Sequence, residues 1–243
     1  MKPPAFDYEA PTSVEETLAL LERRGEDGKI LAGGQSLVPL LNFRLARPEV
    51  LIDVNDVQEL AYLRRRDGRL RIGALTRQAQ AERSPMVAQR WPLLAQALRW
   101  VAHPQIRNRG TIGGSVAHSD PSAELPVALS ALDARFHVRS ARQARELAHD
   151  EMFVGQLTPG IAEDELLCEI ELPANADVAV RPVDSKGSAT TGPDDPFDAY
   201  WRALGELAQA PLDCLPFVST TDRKHRVRAS YNGGLVVVRR EKG

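Results

Sequence analysis

Apolar positions first recur with a helical period at Val14, Leu18 and Leu21, one face of a helix. Ser13 precedes them and Glu16 follows at capping-box spacing. Gly25, among acidic residues, predicts the end of that helix. Lys29–Ala32 reads as a short strand, 37–45 as a second helix and Val50–Val54 as a buried strand. That order predicts a small parallel βαβ unit. The period then changes. Residues 60–65 and 69–73 flank Asp67-Gly68, a hairpin signal. Helices are predicted over 76–82 and 92–101, and a glycine-rich polar loop over 103–120. Pro121 opens a helix through Leu132, and strands are predicted over 136–139 and 165–172, the latter ending at Pro173. Strands followed by a cluster of helices indicate an α+β class rather than a doubly wound sheet. Residues 174–196, rich in Ala, Pro, Asp, Ser, Gly and Thr, read as a linker. Beyond them, 197–208 reads as a helix, and 224–231 with 235–240 as a hairpin around Asn232-Gly233-Gly234.

Composition narrows the function classes. The chain has 243 residues and a formal net charge of −2, which does not suit a phosphate-neutralising nucleic-acid surface. No apolar run approaches the ~20 residues that span a bilayer, and Met1-Lys2-Pro3-Pro4 lacks the apolar stretch of a secretory signal. A cytoplasmic protein is expected. Cys168 and Cys214 are the only cysteines, too few for an iron–sulfur cluster or a zinc ribbon. His103, His118, His137, His149 and His225 show no metal-ligand spacing. Any redox centre on this chain is therefore organic.

Two glycine segments carry most of the chemistry. Ala32-Gly33-Gly34-Gln35-Ser36 joins a predicted strand to a predicted helix, and Gly110-Thr111-Ile112-Gly113-Gly114-Ser115 lies in the polar stretch. Paired glycines let backbone approach a ligand closely, and successive N–H groups form an anion-binding concavity. Ser36, Thr111 and Ser115 add hydroxyls. A pyrophosphate matches such donors, although a single Gly-Gly is ordinarily only a turn. Neither segment is a G-x-G-x-x-G or a P-loop.

The order of motifs resembles the FAD-binding medium subunit of the molybdenum hydroxylases, the carbon monoxide dehydrogenase and xanthine dehydrogenase group. The resemblance rests on Phe6-Asp7-Tyr8, Leu31-Ala32-Gly33-Gly34-Gln35-Ser36-Leu37, Phe43-Arg44-Leu45-Ala46-Arg47-Pro48, Leu51-Ile52-Asp53-Val54 and Ile72-Gly73-Ala74-Leu75-Thr76. Ile106-Arg107-Asn108-Arg109-Gly110-Thr111-Ile112-Gly113-Gly114-Ser115, Glu165-Leu166-Leu167 and Ile170-Glu171-Leu172-Pro173 complete it, over residues 1 to about 173. It implies the two-subdomain FAD-binding fold of p-cresol methylhydroxylase and vanillyl-alcohol oxidase, divided here into 1–56 and 57–173. It implies FAD held without a covalent bond, since Gln35 stands where some covalently flavinylated relatives of that fold place histidine. Residues 32–36, with Leu37, are implied to hold the pyrophosphate. Thr111, Ile112, Gly113, Gly114 and Ser115 are implied to line the pyrophosphate and flavin edge. Asp120 and Glu124 fall in the segment that faces the ribose or adenine, and Leu166 and Leu167 match residues that pack on the cofactor.

The residues alone also read otherwise: Leu166 and Leu167 as core and Asp120 as a helix cap, while Arg107 and Arg109, which flank the second segment and could help neutralise a pyrophosphate, read rather as solvent-facing cations. The resemblance further implies partner chains. A small iron–sulfur subunit would carry 2Fe-2S clusters and a large subunit the molybdenum–pterin, in a dimer of heterotrimers. Residues 174–243 do not match the family's C-terminal domain, so an atypical, shortened C-terminal region is expected over 197–243. Lys186 lies near a family lysine beside the flavin, in neighbours that do not match. A stand-alone flavoenzyme of the same fold and a non-catalytic scaffolding remnant stay open as other readings.

Overall fold

The computed structural model describes residues 2–174 and, beyond them, the strand segments 178–182, 217–219, 226–228 and 235–239. The chain divides into two compact units, Met1–Ala176 and Asp177–Gly243.

The first unit opens with β1 (Asp7–Glu9), α1 (Val14–Arg24), β2 (Gly28–Leu31), α2 (Leu37–Asn42) and β3 (Val50–Asp53). Ser13 caps α1 by accepting the Glu16 N–H at 3.2 Å. The reciprocal bond of a capping box goes one residue further back, because Glu16 accepts the Thr12 N–H at 2.7 Å. Gly25, at φ +49°, ends the helix where the apolar period stops. The βαβ expectation is met, with β2 parallel to β3. A third parallel strand, β1, lies on the other side of β3. Its Asp-Tyr-Glu sequence is mostly exposed and carries no apolar alternation, which is why the pattern does not announce it. Helix α2 stops at Asn42, short of the expected Leu45.

Next come β4 (Leu63–Arg66), β5 (Arg69–Gly73), α3 (Gln78–Glu82), α4 (Pro85–Arg90), α5 (Pro92–Trp100), α6 (Pro104–Arg109), α7 (Ile112–His118) and α8 (Glu124–Ala131). They are followed by β6 (Arg135–Arg139), β7 (Ala144–Leu147), α9 (His149–Met152), β8 (Phe153–Gly155), β9 (Thr158–Pro159) and β10 (Leu166–Leu172). Asp67 and Gly68 both take positive φ, 52° and 79°, the turn that a tight hairpin requires. Strands β4, β5, β10, β6 and β7 form one antiparallel sheet in that order. Its apolar face, Leu70, Ile72, Phe136, Val138, Ile170 and Leu172, is fully buried. Cys168 is an extra residue in β10: the register passes from Leu167↔Val138 directly to Glu169↔His137, a β-bulge.

Three expectations change here. The stretch 103–120 holds two helices, α6 and α7, instead of a loop. The helix expected from Pro121 begins at Glu124. Helix α4 is additional; Ser84 caps it through the Val87 N–H at 3.4 Å, with Pro85 in its first turn.

One core joins the two sheets. Leu18, Leu21, Val50, Ile52 and Val54 from the first sheet's layer pack with Leu60, Leu75 and Leu166 from the second. Among the described residues, no helix is long and apolar enough to cross a membrane.

In the second unit, β11 (Val178–Pro182) pairs antiparallel with β14 (Leu235–Arg239), and β12 (Phe217–Ser219) with β13 (Arg226–Arg228). The expected hairpin of 224–231 with 235–240 is therefore corrected, since each of its strands pairs with an earlier segment. Residues 178–182, within the expected linker, form a strand. The helix expected over 197–208 and Lys186 lie outside the described residues.

Candidate functional site

The first glycine segment leaves β2 and enters α2. Gly33 is buried because its Cα lies against the second segment: an added Cβ would sit 2.6 Å from the Arg109 carbonyl oxygen and 2.8 Å from Gly110 Cα. Gly34 takes φ +70°, a conformation that L side chains rarely adopt. Gln35 folds back, its Nε2 donating to the Gly33 carbonyl at 2.9 Å. The Val38 N–H donates to the Gly34 carbonyl at 3.0 Å and Leu37 begins α2. Among the described residues, the N–H groups of Gly33, Gly34, Gln35 and Ser36 find no acceptor. A turn with four such donors in sequence is a ready anion-binding concavity.

The second segment is built differently. Thr111 is the N-cap of α7, its Oγ1 accepting the Gly114 N–H at 3.1 Å. Ile112 donates to the Thr76 carbonyl and Gly113 to the Ala74 carbonyl, each at 2.9 Å, and Ser115 to the Thr111 carbonyl at 3.2 Å. These N–H groups are spent within the chain, which corrects the expectation of a second donor concavity at 111–115. A Cβ added at Gly114 would press on Thr111 Oγ1, its own capping partner, at 2.6 Å and would reach Ala32 Cβ of the first segment at 3.8 Å. Half-buried Ser115 lies one residue further along α7.

A polar strut ties the two segments together. Tyr8 OH donates to Asp53 Oδ2 at 2.6 Å, and Asn55 donates to Asp53 Oδ1 through its N–H at 3.0 Å and through Nδ2 at 2.6 Å. Asn55 Nδ2 also donates to the Ala32 carbonyl at 2.8 Å. Arg77 Nη2 donates to Asn55 Oδ1 at 2.8 Å, while its Nη1 donates to the Arg109 carbonyl. Burial opposes ionisation of Asp53, but the hydrogen bonds from Tyr8 and Asn55 and the Arg77 charge outweigh it and hold the carboxyl below its ordinary value. Asn55 and Arg77 belong to no motif, and sequence reasoning missed them. The one local signal was the turn Asp53 makes with the N–H two residues on.

The other expected residues take no part in this hydrogen-bond network. Asp120 accepts the Ser122 N–H at 2.8 Å and the Ala123 N–H through its carbonyl at 3.1 Å. It forms a turn ahead of α8 and is not the helix cap, which is Ala123. Glu124 is half-buried; burial pushes its pKa up, its own backbone N–H opposes the shift, and Asp120 adds to it. Leu166 and Leu167 are each 5% exposed. Leu166 is part of the shared core, against which Ala32 of the first glycine segment also packs, and Leu167 faces Val138 across the sheet. Arg107 is not a solvent-facing cation: it is buried, donates to Glu82 at 2.8 and 3.1 Å, and closes the Val101 and Ala102 carbonyls. Arg109 is exposed.

A second polar cluster lies on the outer face of the five-stranded sheet. Ligand atoms of His137, Glu169 and Glu171 fall within 4.8 Å of one another. Both carboxylates are already paired, Glu171 with Arg69 at 2.5 Å and Arg71 at 2.9 Å, and Glu169 with Tyr62 OH at 2.5 Å and Arg71 at 3.4 Å. Two arginines thus supply the charge that a cation would.

Residues 4–175 match the family described as the FAD binding domain in molybdopterin dehydrogenase. The chain belongs to this family. The 6-hydroxypseudooxynicotine dehydrogenase complex subunit alpha of Paenarthrobacter nicotinovorans is 51% identical over 234 residues, covering 96% of this chain and 74% of that one. The carbon monoxide dehydrogenase medium chain of Hydrogenophaga pseudoflava is 43% identical over 176 residues, 72% of this chain and 61% of the relative. Among solved structures, quinoline 2-oxidoreductase from Pseudomonas putida 86 superposes with a TM-score of 0.72 at 36% identity, over 76% of this chain and 64% of that one. The chain thus spans about three fifths of the medium chain's length and about three quarters of the first relative's.

The family match ends close to the Pro173 boundary read from the sequence. The match to the Paenarthrobacter subunit continues well past it, so the region beyond 173 is shared with that relative, a correction to the expected extent of the resemblance. The site fits the family's cofactor on its own geometry. Gly33, Gly34, Gln35 and Ser36 offer four successive unpartnered N–H groups, donors that suit a pyrophosphate.

Proposed function

We propose that this chain is the FAD-binding electron-transfer subunit of a molybdenum-containing hydroxylase or dehydrogenase complex. FAD, when bound, supplies the two-electron redox chemistry. The chain's own residues bind and orient it. The N–H groups of Gly33, Gly34, Gln35 and Ser36 donate to the pyrophosphate, Ala32 and Gly114 leave room for it, and Thr111 and Ser115 contribute hydroxyls beside it. Asp120 and Glu124 lie toward the ribose or adenine. No acid–base residue of this chain is assigned a step. A small partner subunit with 2Fe-2S clusters delivers electrons, and a large subunit with the molybdenum–pterin oxidises the substrate. The assembly is a dimer of heterotrimers, and an external acceptor takes the electrons from FAD.

The observation that carries this reading is the row of four unpartnered N–H groups packed against a second small-residue segment. Relatives named as dehydrogenase complex subunits support the rest. The absorbance spectrum of the natively isolated protein tests the cofactor: flavin bands near one per chain are expected, and a flavin-free chain that cannot be loaded with FAD overturns it. Co-purification with two partner chains, sized by gel filtration, tests the assembly. A lone monomer with full dehydrogenase activity favours the stand-alone flavoenzyme instead.

A further inference from the structure

Arg77 and Arg109 converge where the two glycine segments touch. Arg77 spans the gap with its planar fork, one nitrogen on the Arg109 carbonyl and the other on Asn55 Oδ1 at 2.8 Å. Asn55 carries the contact on to the Ala32 carbonyl at 2.8 Å. A Cβ at Gly33 would lie 2.6 Å from that same Arg109 carbonyl, so the guanidinium abuts the loop that carries the unpartnered N–H groups.

The charges at this point do not balance. Among the described residues, neither Arg77 nor Arg109 has a carboxylate oxygen within 4.0 Å, whereas Arg69, Arg71, Arg107 and Arg145 all do. The nearest acidic influence on Arg77 is Asp53, whose oxygens already accept from Tyr8 and Asn55. Burial and the neighbouring Arg109 charge push the Arg77 pKa below its ordinary value, with Asp53 pulling the other way. A half-buried guanidinium set beside a like charge costs free energy unless an anion joins them.

We propose that Arg77, backed by Arg109, supplies the positive charge for the pyrophosphate at residues 32–36 and sets the gap between the two glycine segments. This rests on the FAD reading above. A lysine keeps the charge but cannot span two acceptors as the fork does, so charge and span can be separated by substitution.

The test uses the full chain, stripped of flavin and titrated with FAD, ADP and riboflavin at several salt concentrations. Arg77→Met weakens FAD and ADP binding by ~10- to 50-fold, the scale of a lost charge-assisted contact, and flattens the salt dependence. Riboflavin, which lacks the pyrophosphate, binds as before. Arg77→Lys restores the salt dependence without the full affinity, and Asn55→Ala keeps the salt dependence while weakening FAD. Arg109→Met leaves the backbone carbonyl in place and lowers both the salt dependence and the low-salt affinity, each by less than Arg77→Met. Wild-type affinity and salt dependence in Arg77→Met overturn the proposal. If Arg77→Met does not fold, unchanged salt dependence in Arg109→Met overturns it. A wild-type chain that takes up no FAD overturns the cofactor reading itself, and this inference with it; FAD bound equally well by wild type and variants overturns only the role of Arg77.

Discussion

A methyl group added at Gly33 would press on the Arg109 backbone, whereas one at Gly34 would meet only the Val38 and Leu31 side chains, at 3.1 and 3.3 Å. Backbone cannot retreat as a side-chain tip can. Gly33→Ala is expected to destabilise the protein by about 2 kcal/mol, an overpacking cost, and to weaken FAD binding by parting the two segments. Gly34→Ala pays for its φ of +70°, about 1 kcal/mol. Urea unfolding and FAD titration of both variants give the two quantities. Tyr8→Phe tests the strut. It removes a donor that favours ionised Asp53 and leaves the opposing burial, so the Asp53 pKa rises. The depressed pKa contributes stability above the unfolded carboxyl value, and that contribution fades as pH falls through the folded one. Wild type should therefore exceed Tyr8→Phe by about 0.5 kcal/mol at neutral pH, a small value because Tyr8 is exposed, and the gap should close in acid. Carboxyl NMR titration with urea melts across pH measures both. The glycine pairs of this site were legible in the sequence because they are local. Asn55 and Arg77 were not, because their importance lies in carbonyls at Ala32 and Arg109 that only the fold brings near.

Helix α7 is one of the elements that local reading lost. Gly113 and Gly114 have the lowest helix propensity short of proline, and a window over 103–120 therefore reads as loop. Tertiary bonds override it: the Ile112 and Gly113 N–H groups are held by Thr76 and Ala74, and Thr111 caps the first turn. Thr111→Ala should cost about 1 kcal/mol, with Thr111→Ser recovering most of it, as read by thermal melting. Strand β10 shows the opposite case, legible at its core and incomplete at its ends. Its apolar run and closing Pro173 mark it in the sequence, but the Cys168 bulge needs the neighbouring strand to be seen. Burial pushes the Cys168 thiol up to about 11, so it should stay unmodified by thiol reagents at neutral pH until the protein unfolds. Just ahead of β10, buried Glu165 takes two 2.7 Å bonds from Arg145. Arg145→Ala leaves that carboxylate only the Ala162 N–H at 2.8 Å, an expected loss of about 1–2 kcal/mol, reduced because Arg145 is partly exposed, in urea unfolding.

Across the whole molecule, the first unit is held by a core that crosses from one sheet to the other. Its α+β class, the βαβ start and the Asp67-Gly68 hairpin could all be read from period and turn chemistry. The sheet order could not, since nothing local says that β10 inserts between β5 and β6. Because the core is shared, the residues 1–56 and 57–173 should melt together, in one calorimetric transition; two resolved peaks would separate them. Trp91 Nε1 reaches the Pro173 carbonyl at 2.9 Å, so the unit closes on itself at that point. A chain ending at Ala176 is expected to keep the same transition, with bound FAD raising its midpoint.

The position of β10 also sets a schedule. The middle strand of the sheet is the last of the five to be made, and β5 and β6 each wait for it with an unpaired edge. At ~5–20 residues per second, the β4–β5 hairpin emerges from the ribosome on the order of ten seconds before its partner arrives. During that interval the nascent chain offers first the open edge of β5 and then, once β6 is made, that of β6 as well to any other chain that comes within reach. Slower translation lengthens the exposure, and crowding of polysomes multiplies the encounters. The yield of soluble protein should therefore depend more steeply on expression rate and on chaperone supply than the stability of the finished molecule suggests.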